Sequence, residues 1–133
     1  MRKVARDKCP GAKMFHIAMI KVPVTDIDRA AAFYGRMLDL EPAVLAPEFG
    51  WAHFEAEALT LAVYIPGMGN GDRAPGGSVD FSLAAVDLAP IQARMAELVP
   101  GAEVRRNDDG SVSLELTDAD GNVVTIMGPA LPR

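Results

Sequence analysis

An internal repeat constrains this chain more than any other feature. Asp26 opens an amphipathic run that reaches Leu38, and Asp87, 61 residues later, opens another that reaches Leu98. The same spacing carries Gly50-Trp51 to Ser111-Val112, Val63 to Val124, Ile65 to Ile126 and Gly67 to Gly128. Each copy reads as a strand, a helix and three strands. One such unit cannot bury both its sheet face and its helix, so two must pack together. The fold expected is α+β, with two βαβββ modules at about residues 14–66 and 78–128. They form an open cup-shaped mixed sheet with the helices outside. The space between two curled sheets suits a small molecule.

The elements follow from local pattern. Residues 14–22 alternate, with His16, Ala18, Ile20 and Val22 on one face, and read as the first strand. Thr25-Asp26-Ile27-Asp28 fits a capping box, with Thr25 as the cap. Ile27, Ala31, Tyr34 and Leu38 follow at helical spacing, until Asp39, Glu41 and Pro42 end the run. Strands fit residues 43–46, 50–55 and 59–65. Residues 67–77 hold Gly67, Gly69, Gly71, Pro75, Gly76 and Gly77, the composition of a linker that would also suit a flap over a pocket. The second unit begins with a strand at 79–85. Its helix is capped by Asp87, with Leu88, Ile91, Met95 and Leu98 as the buried stripe, and is stopped by Pro100-Gly101. Strands at 103–106, 112–117 and 123–127 complete it, joined by turns at 107–110 and 118–122.

Composition narrows the function. A chain of 133 residues, half of them hydrophobic, suits one domain with a sizeable core, assigned to residues 14–133. A net charge of −5 disfavours a nucleic-acid partner, and no apolar run is long enough to span a membrane. Residues 1–13 form a basic arm with Arg2, Lys3, Arg6, Lys8 and Lys13, and read as solvated. The single cysteine, Cys9, fits a reducing cytoplasm.

His16-Ile17-Ala18, Asp26-Ile27-Asp28-Arg29-Ala30 with Phe33-Tyr34, the Asp118-Ala119-Asp120-Gly121-Asn122 turn and the repeat itself carry a family resemblance. In this order the chain resembles the vicinal oxygen chelate superfamily, which includes glyoxalase I, bleomycin-resistance proteins and extradiol dioxygenases. The match covers residues 14–129. The resemblance implies paired βαβββ modules, a homodimer and, in catalytic members, a divalent metal in the cup. That metal is held by histidine and glutamate from the first and last strands of each module, and stabilises developing negative charge on substrate oxygens.

Set against that pattern, His16 matches the first ligand position. The last-strand position of the second module, three residues after Asn122, holds Thr125, and its counterpart in the first module is Tyr64, or Ala62 with a one-step slip. The first strand of the second module has no histidine, and Asp80 is its nearest ligand type. A catalytic metal needs about three protein ligands. No cofactor is expected, with His16 and Asp80 the weak metal candidates and His16 otherwise a hydrogen-bonded residue inside the cup.

Trp51, His53, Phe54 and Tyr64 concentrate on two strands of the first module. Trp51 and His53 share one face of a regular strand and Phe54 takes the other. With His16, Asp80 and Thr125 they form the expected ligand-binding set, a largely apolar cavity with a few hydrogen-bonding groups. Glu55, Glu57 and Glu115 read as a solvated face, and Asp108-Asp109 as turn chemistry. The leading function is a metal-independent protein of the glyoxalase/bleomycin-resistance type that binds a small apolar or aromatic molecule. The alternatives are a divergent metal-dependent lyase, isomerase or dioxygenase, and a dimerisation module without a ligand. The ligand's identity, any reaction and the pairing of modules within or between chains stay open.

Overall fold

Asp26 starts the first helix, α1 (Ile27–Leu38). Its backbone is extended, at φ −145° and ψ 116°, and its carboxylate accepts from the Arg29 amide at 3.0 Å. The cap thus falls one residue beyond Thr25, whose hydroxyl donates to Asp120 instead. Asp39 closes the helix in the left-handed region at φ 57°, and the Leu40 amide bonds the Gly35 carbonyl at 3.0 Å. This computed structural model describes residues 14–129; the basic arm, Cys9 and residues 130–133 lie outside the described residues.

In the first module α1 is flanked by β1 (Ile20–Pro23), β2 (Val44–Ala46), a 3₁₀ turn (Pro47–Phe49), β3 (Trp51–Ala56) and β4 (Leu59–Tyr64). They form a sheet in the order β1-β4-β3-β2, parallel only between β1 and β4. The second module holds β5 (Ser82–Ala84), α2 (Ala89–Met95), β6 (Arg105–Arg106), β7 (Val112–Thr117) and β8 (Val123–Gly128). Its order, β5-β8-β7-β6, repeats the first. Two mixed sheets with two helices give the two-module, cup-like α+β fold, with no closed barrel.

Alternation divides each sheet into two faces. Val22, Ala52, Phe54, Leu61 and Val63 face α1 and meet Ile27, Ala30, Ala31, Tyr34 and Met37 in one cluster. Leu114, Leu116, Val124 and Ile126 join the same cluster with Leu88 and Met95 of the α2 segment. The helices touch each other, and Arg94 of α2 donates to the carbonyls of Arg36 and Met37 at 3.0 and 2.9 Å, satisfying the C-terminal end of α1. The opposite sheet faces are partly covered: Ala62, Tyr64 and Ser113 are buried there, whereas Glu55 and Glu115 are exposed.

Several elements are shorter than their patterns, among them the strand expected at 103–106, which holds only Arg105–Arg106. The first strand begins at Ile20, not residue 14: its parallel pairing with β4 starts at Ile20 opposite Leu61, although β4 itself reaches back to Leu59. The first strand of the second module spans Ser82–Ala84 rather than 79–85. Helix α2 stops at Met95, whose carbonyl accepts from Leu98 and Val99 at 3.1 and 2.8 Å as the chain turns over. Leu98 is therefore 47% exposed and leaves the buried stripe. Asp87 accepts from the Ala89 amide at 3.1 Å, one residue ahead of the capping position, which falls to Leu88.

Candidate functional site

The open face of the first sheet can be read from its register. Lys21 stands opposite Ala62, Ala62 opposite His53, and His53 opposite Val44; the neighbouring row runs Pro23, Tyr64, Trp51, Ala46. Trp51, His53 and Glu55 thus line one face of β3 at successive two-residue steps. The Trp51 Nε1–H donates to His53 Nδ1 at 2.9 Å, with the rings edge to face at 5.9 Å. An indole nitrogen can only donate, so this bond fixes His53 in the tautomer that carries its proton on Nε2. That nitrogen lies 3.4 Å from Glu55 Oε1. The result is a half-buried aromatic platform whose imidazole is already oriented from both sides.

Tyr64 lies on the same face but is covered. It is 2% exposed, the Lys21 ammonium lies 5.3 Å from its ring centroid, and Gly71 packs so closely that a Cβ there would sit 2.7 Å from the ring. The glycine-rich linker is fastened to produce this cover. Gly67 N bonds Gly71 O at 3.0 Å, Lys21 donates to the Asn70 carbonyl, and Asn70 Nδ2 reaches Phe49 O at 3.3 Å. Farther on, Gly76 N bonds Asn122 Oδ1 at 2.9 Å.

The remaining predicted residues separate. Phe54 is 1% exposed on the core face, against Gly35 of α1, because its position on β3 is odd-stepped from Trp51. His16 is exposed and precedes β1, and the face that alternation gave it is the one Ile20 and Val22 present to α1, away from the cup. Asp80 is exposed in the loop before β5. Thr125 is half-buried on the open face of the second sheet, between Ser82 and Glu115. Trp51 and His53 are therefore brought together, Tyr64 is roofed beside them, and Phe54, His16 and Asp80 are not in the group.

These residues do not fit the metal centre of the catalytic relatives. Among the described residues no three histidine, cysteine, aspartate or glutamate side chains converge. Both nitrogens of His53 face partners within its own strand.

The late aspartate-rich turn has a structural role that pattern reading missed. Asp118 is 7% exposed, and its carboxylate accepts from Tyr34 Oη at 2.8 Å and from Asp120 N, Asn122 N and Asn122 Nδ2 at 2.9 Å each. Asn122 Nδ2 also donates to the Pro23 carbonyl at 2.8 Å. Burial, followed by the Asp118 carboxylate and its hydrogen bond, pushes the Tyr34 phenol well above its ordinary range. Asp120 meanwhile accepts from the Thr25 amide and hydroxyl, with Arg29 Nη2 3.4 Å away. The turn clasps the second module to the start of α1. The pairing of Tyr34 with short polar residues 84 or more positions later was the signal in the sequence.

Solved structures share this fold. A glyoxalase/bleomycin resistance protein from Catenulispora acidiphila is similar at a TM-score of 0.64 and 21% identity, over 89% of this chain and 100% of the other. Lactoylglutathione lyase from Agrobacterium tumefaciens gives 0.64 at 22% identity, over 84% and 92%. A bleomycin-binding protein complexed with bleomycin gives 0.62 at 20% identity, over 86% and 98%. No protein-family model matches the chain, and no curated protein matches it in sequence. Identities this low speak for the fold alone: the chain has the fold of these glyoxalase and bleomycin-resistance proteins.

Proposed function

We propose that this protein binds a small apolar or aromatic molecule on the open face of its cup, without a metal. The observation that carries the reading is the half-buried Trp51–His53 platform on β3. Trp51 supplies a flat apolar surface beside a His53 ring held in place by Trp51 and Glu55. Affinity comes mainly from apolar burial at about 25 cal/mol per Å². That a fold neighbour is a bleomycin-binding protein supports a binding role for this architecture. The reading extends to a homodimer and to the reducing cytoplasm suggested by the single cysteine. Among the described residues no helix is long and apolar enough to cross a membrane.

The test is a thermal-shift screen of aromatic and apolar compounds, followed by calorimetry on Trp51→Ala. A ligand selective for the native state must stabilise it. We expect a stabilising aromatic compound whose affinity falls at least tenfold in the variant. A screen without any stabilising compound, or one whose hits bind Trp51→Ala as tightly, would sink the proposal.

A further inference from the structure

The late start of β1 leaves a gap at the junction of the two modules. There Ile17 and Ile20 meet Leu59 and Thr60 on one side and Ser82 and Leu83 on the other, around a crevice of about 320 Å³. Behind it lies a second space of about 190 Å³, lined by Met37, Leu38, Ile91 and Ile126. The two adjoin, because Leu59, Leu83 and Ala84 line both. Ile20, Leu38, Leu59, Leu83 and Ile91 pack against the core yet stay only partly buried. Protein interiors are close-packed, so a set of aliphatic side chains left partly uncovered along one path marks an unfilled volume.

The chemistry changes along that path. Its inner end is aliphatic, and the one cation there, Arg94, is committed to the carbonyls of Arg36 and Met37. Its mouth is hydroxylated by Thr60 and Ser82. Thr60 stands opposite Glu55 in one sheet, and Ser82 stands in the row that continues through Thr125 to Glu115 in the other. Glu55, directly across from Thr60, therefore places a carboxylate beside the mouth, whereas Glu115 lies a further strand away from Ser82. Glu55 is well exposed and has one weak neighbour, His53 at 3.4 Å. Lys21, on the same face, points its ammonium to Asn70 instead.

We propose that this crevice binds an unbranched alkyl chain carrying a cationic head group, with the chain between the modules and the head at Thr60, Ser82 and Glu55. The inference goes beyond the binding function proposed above, since it names a second site, at the junction of the modules rather than on the Trp51–His53 face. The Glu55 carboxylate selects against carboxylate heads of equal length.

The experiment is calorimetry and thermal shift on the full chain with hexyl- to dodecylamine, the matching alkanols and the matching alkanoates, all below their micellar concentrations. Amines are expected to bind about three- to fourfold more tightly per added methylene until the crevice fills, the factor that follows from burying one CH₂. Alkanoates of the same length are expected to bind several-fold more weakly. Ser82→Phe and, separately, Ala84→Leu fill the crevice from exposed positions, and each is expected to weaken dodecylamine at least tenfold with the circular dichroism spectrum unchanged. Absence of chain-length dependence, equal binding by both folded variants, or alkanoates that outbind amines would overturn the inference. If aromatic compounds bind and alkylamines do not, this inference fails and the aromatic platform stands; if neither binds, both fail.

Discussion

Asp118 shows how much one side chain does in this fold. Its carboxylate takes four hydrogen bonds in a buried setting, one of them from Tyr34 of the other module. Tyr34→Phe removes that donor and is expected to cost about 1.5–3 kcal/mol, the range for a hydrogen bond to a charged group, measured by urea denaturation. The same bond gives a pH dependence. The folded-state Tyr34 pKa lies above the unfolded value of 10.0, so the folded chain holds this proton longer than the unfolded chain. Its contribution is complete below about pH 10 and is lost as pH rises further. Wild-type stability should therefore fall more steeply above pH 10 than that of Tyr34→Phe. On the cup side, nitrogen NMR of His53 should find the neutral ring protonated at Nε2, as the Trp51 bond at Nδ1 requires; the other tautomer would refute this geometry.

At the level of elements, pattern and neighbour have to be separated. The strands at 112–117 and the helix from Ile27 to Leu38 were legible because alternation and helical spacing coincide with available partners. Residues 14–19 alternate equally well, yet stay outside β1: the parallel pairing starts at Ile20 opposite Leu61, two residues inside β4. Alternation describes a strand's faces; it carries no information about where pairing with the adjacent strand begins. The repeat misleads in a related way. Two residues separate β3 from β4, but five separate β7 from β8. One fixed spacing therefore cannot keep both strands in phase: Val63 and Val124 are both buried, whereas Trp51 on the open face maps to Val112 in the core. The Trp51–His53 pair was legible from two-residue spacing, while the roof over Tyr64 was not, since it depends on a linker folding back. Helix α2 gives a direct test of its shortened end. Met95→Ala should cost about 2–5 kcal/mol, and Leu98→Ala about 0.5 kcal/mol or less. In the linker, a Cβ at Gly76 would sit 2.7 Å from the Asp120 carbonyl oxygen at φ +87°. Gly76→Ala is expected to cost about 1–3 kcal/mol in thermal denaturation.

Across the whole molecule, apolar side chains gather at the rim of the first sheet. Val44 and Leu45 of edge strand β2 are 41% and 49% exposed, Phe49 is 68% and Met68 47%. An exposed edge with such residues invites a partner. The proposed homodimer places this rim in its interface, so light scattering should give twice the 14.1 kDa chain mass. Leu45→Glu with Phe49→Glu should return it to one chain at unchanged helix content. A monomeric wild type would remove the rim from this role.

The clasp between Tyr34, Pro23 and the 118–122 turn also bears on how the chain reaches this state. Its bonds join residues 84 to 99 positions apart, so they close only after nearly the whole sequence is present. During synthesis α1 emerges early and waits with its tyrosine hydroxyl unpartnered until the last hairpin arrives. Loop-closure entropy on this scale makes docking of the two modules a late, slow event. A chain cut within its linker would have neither half of the clasp complete, so the repeat that made the two modules alike does not make them independent.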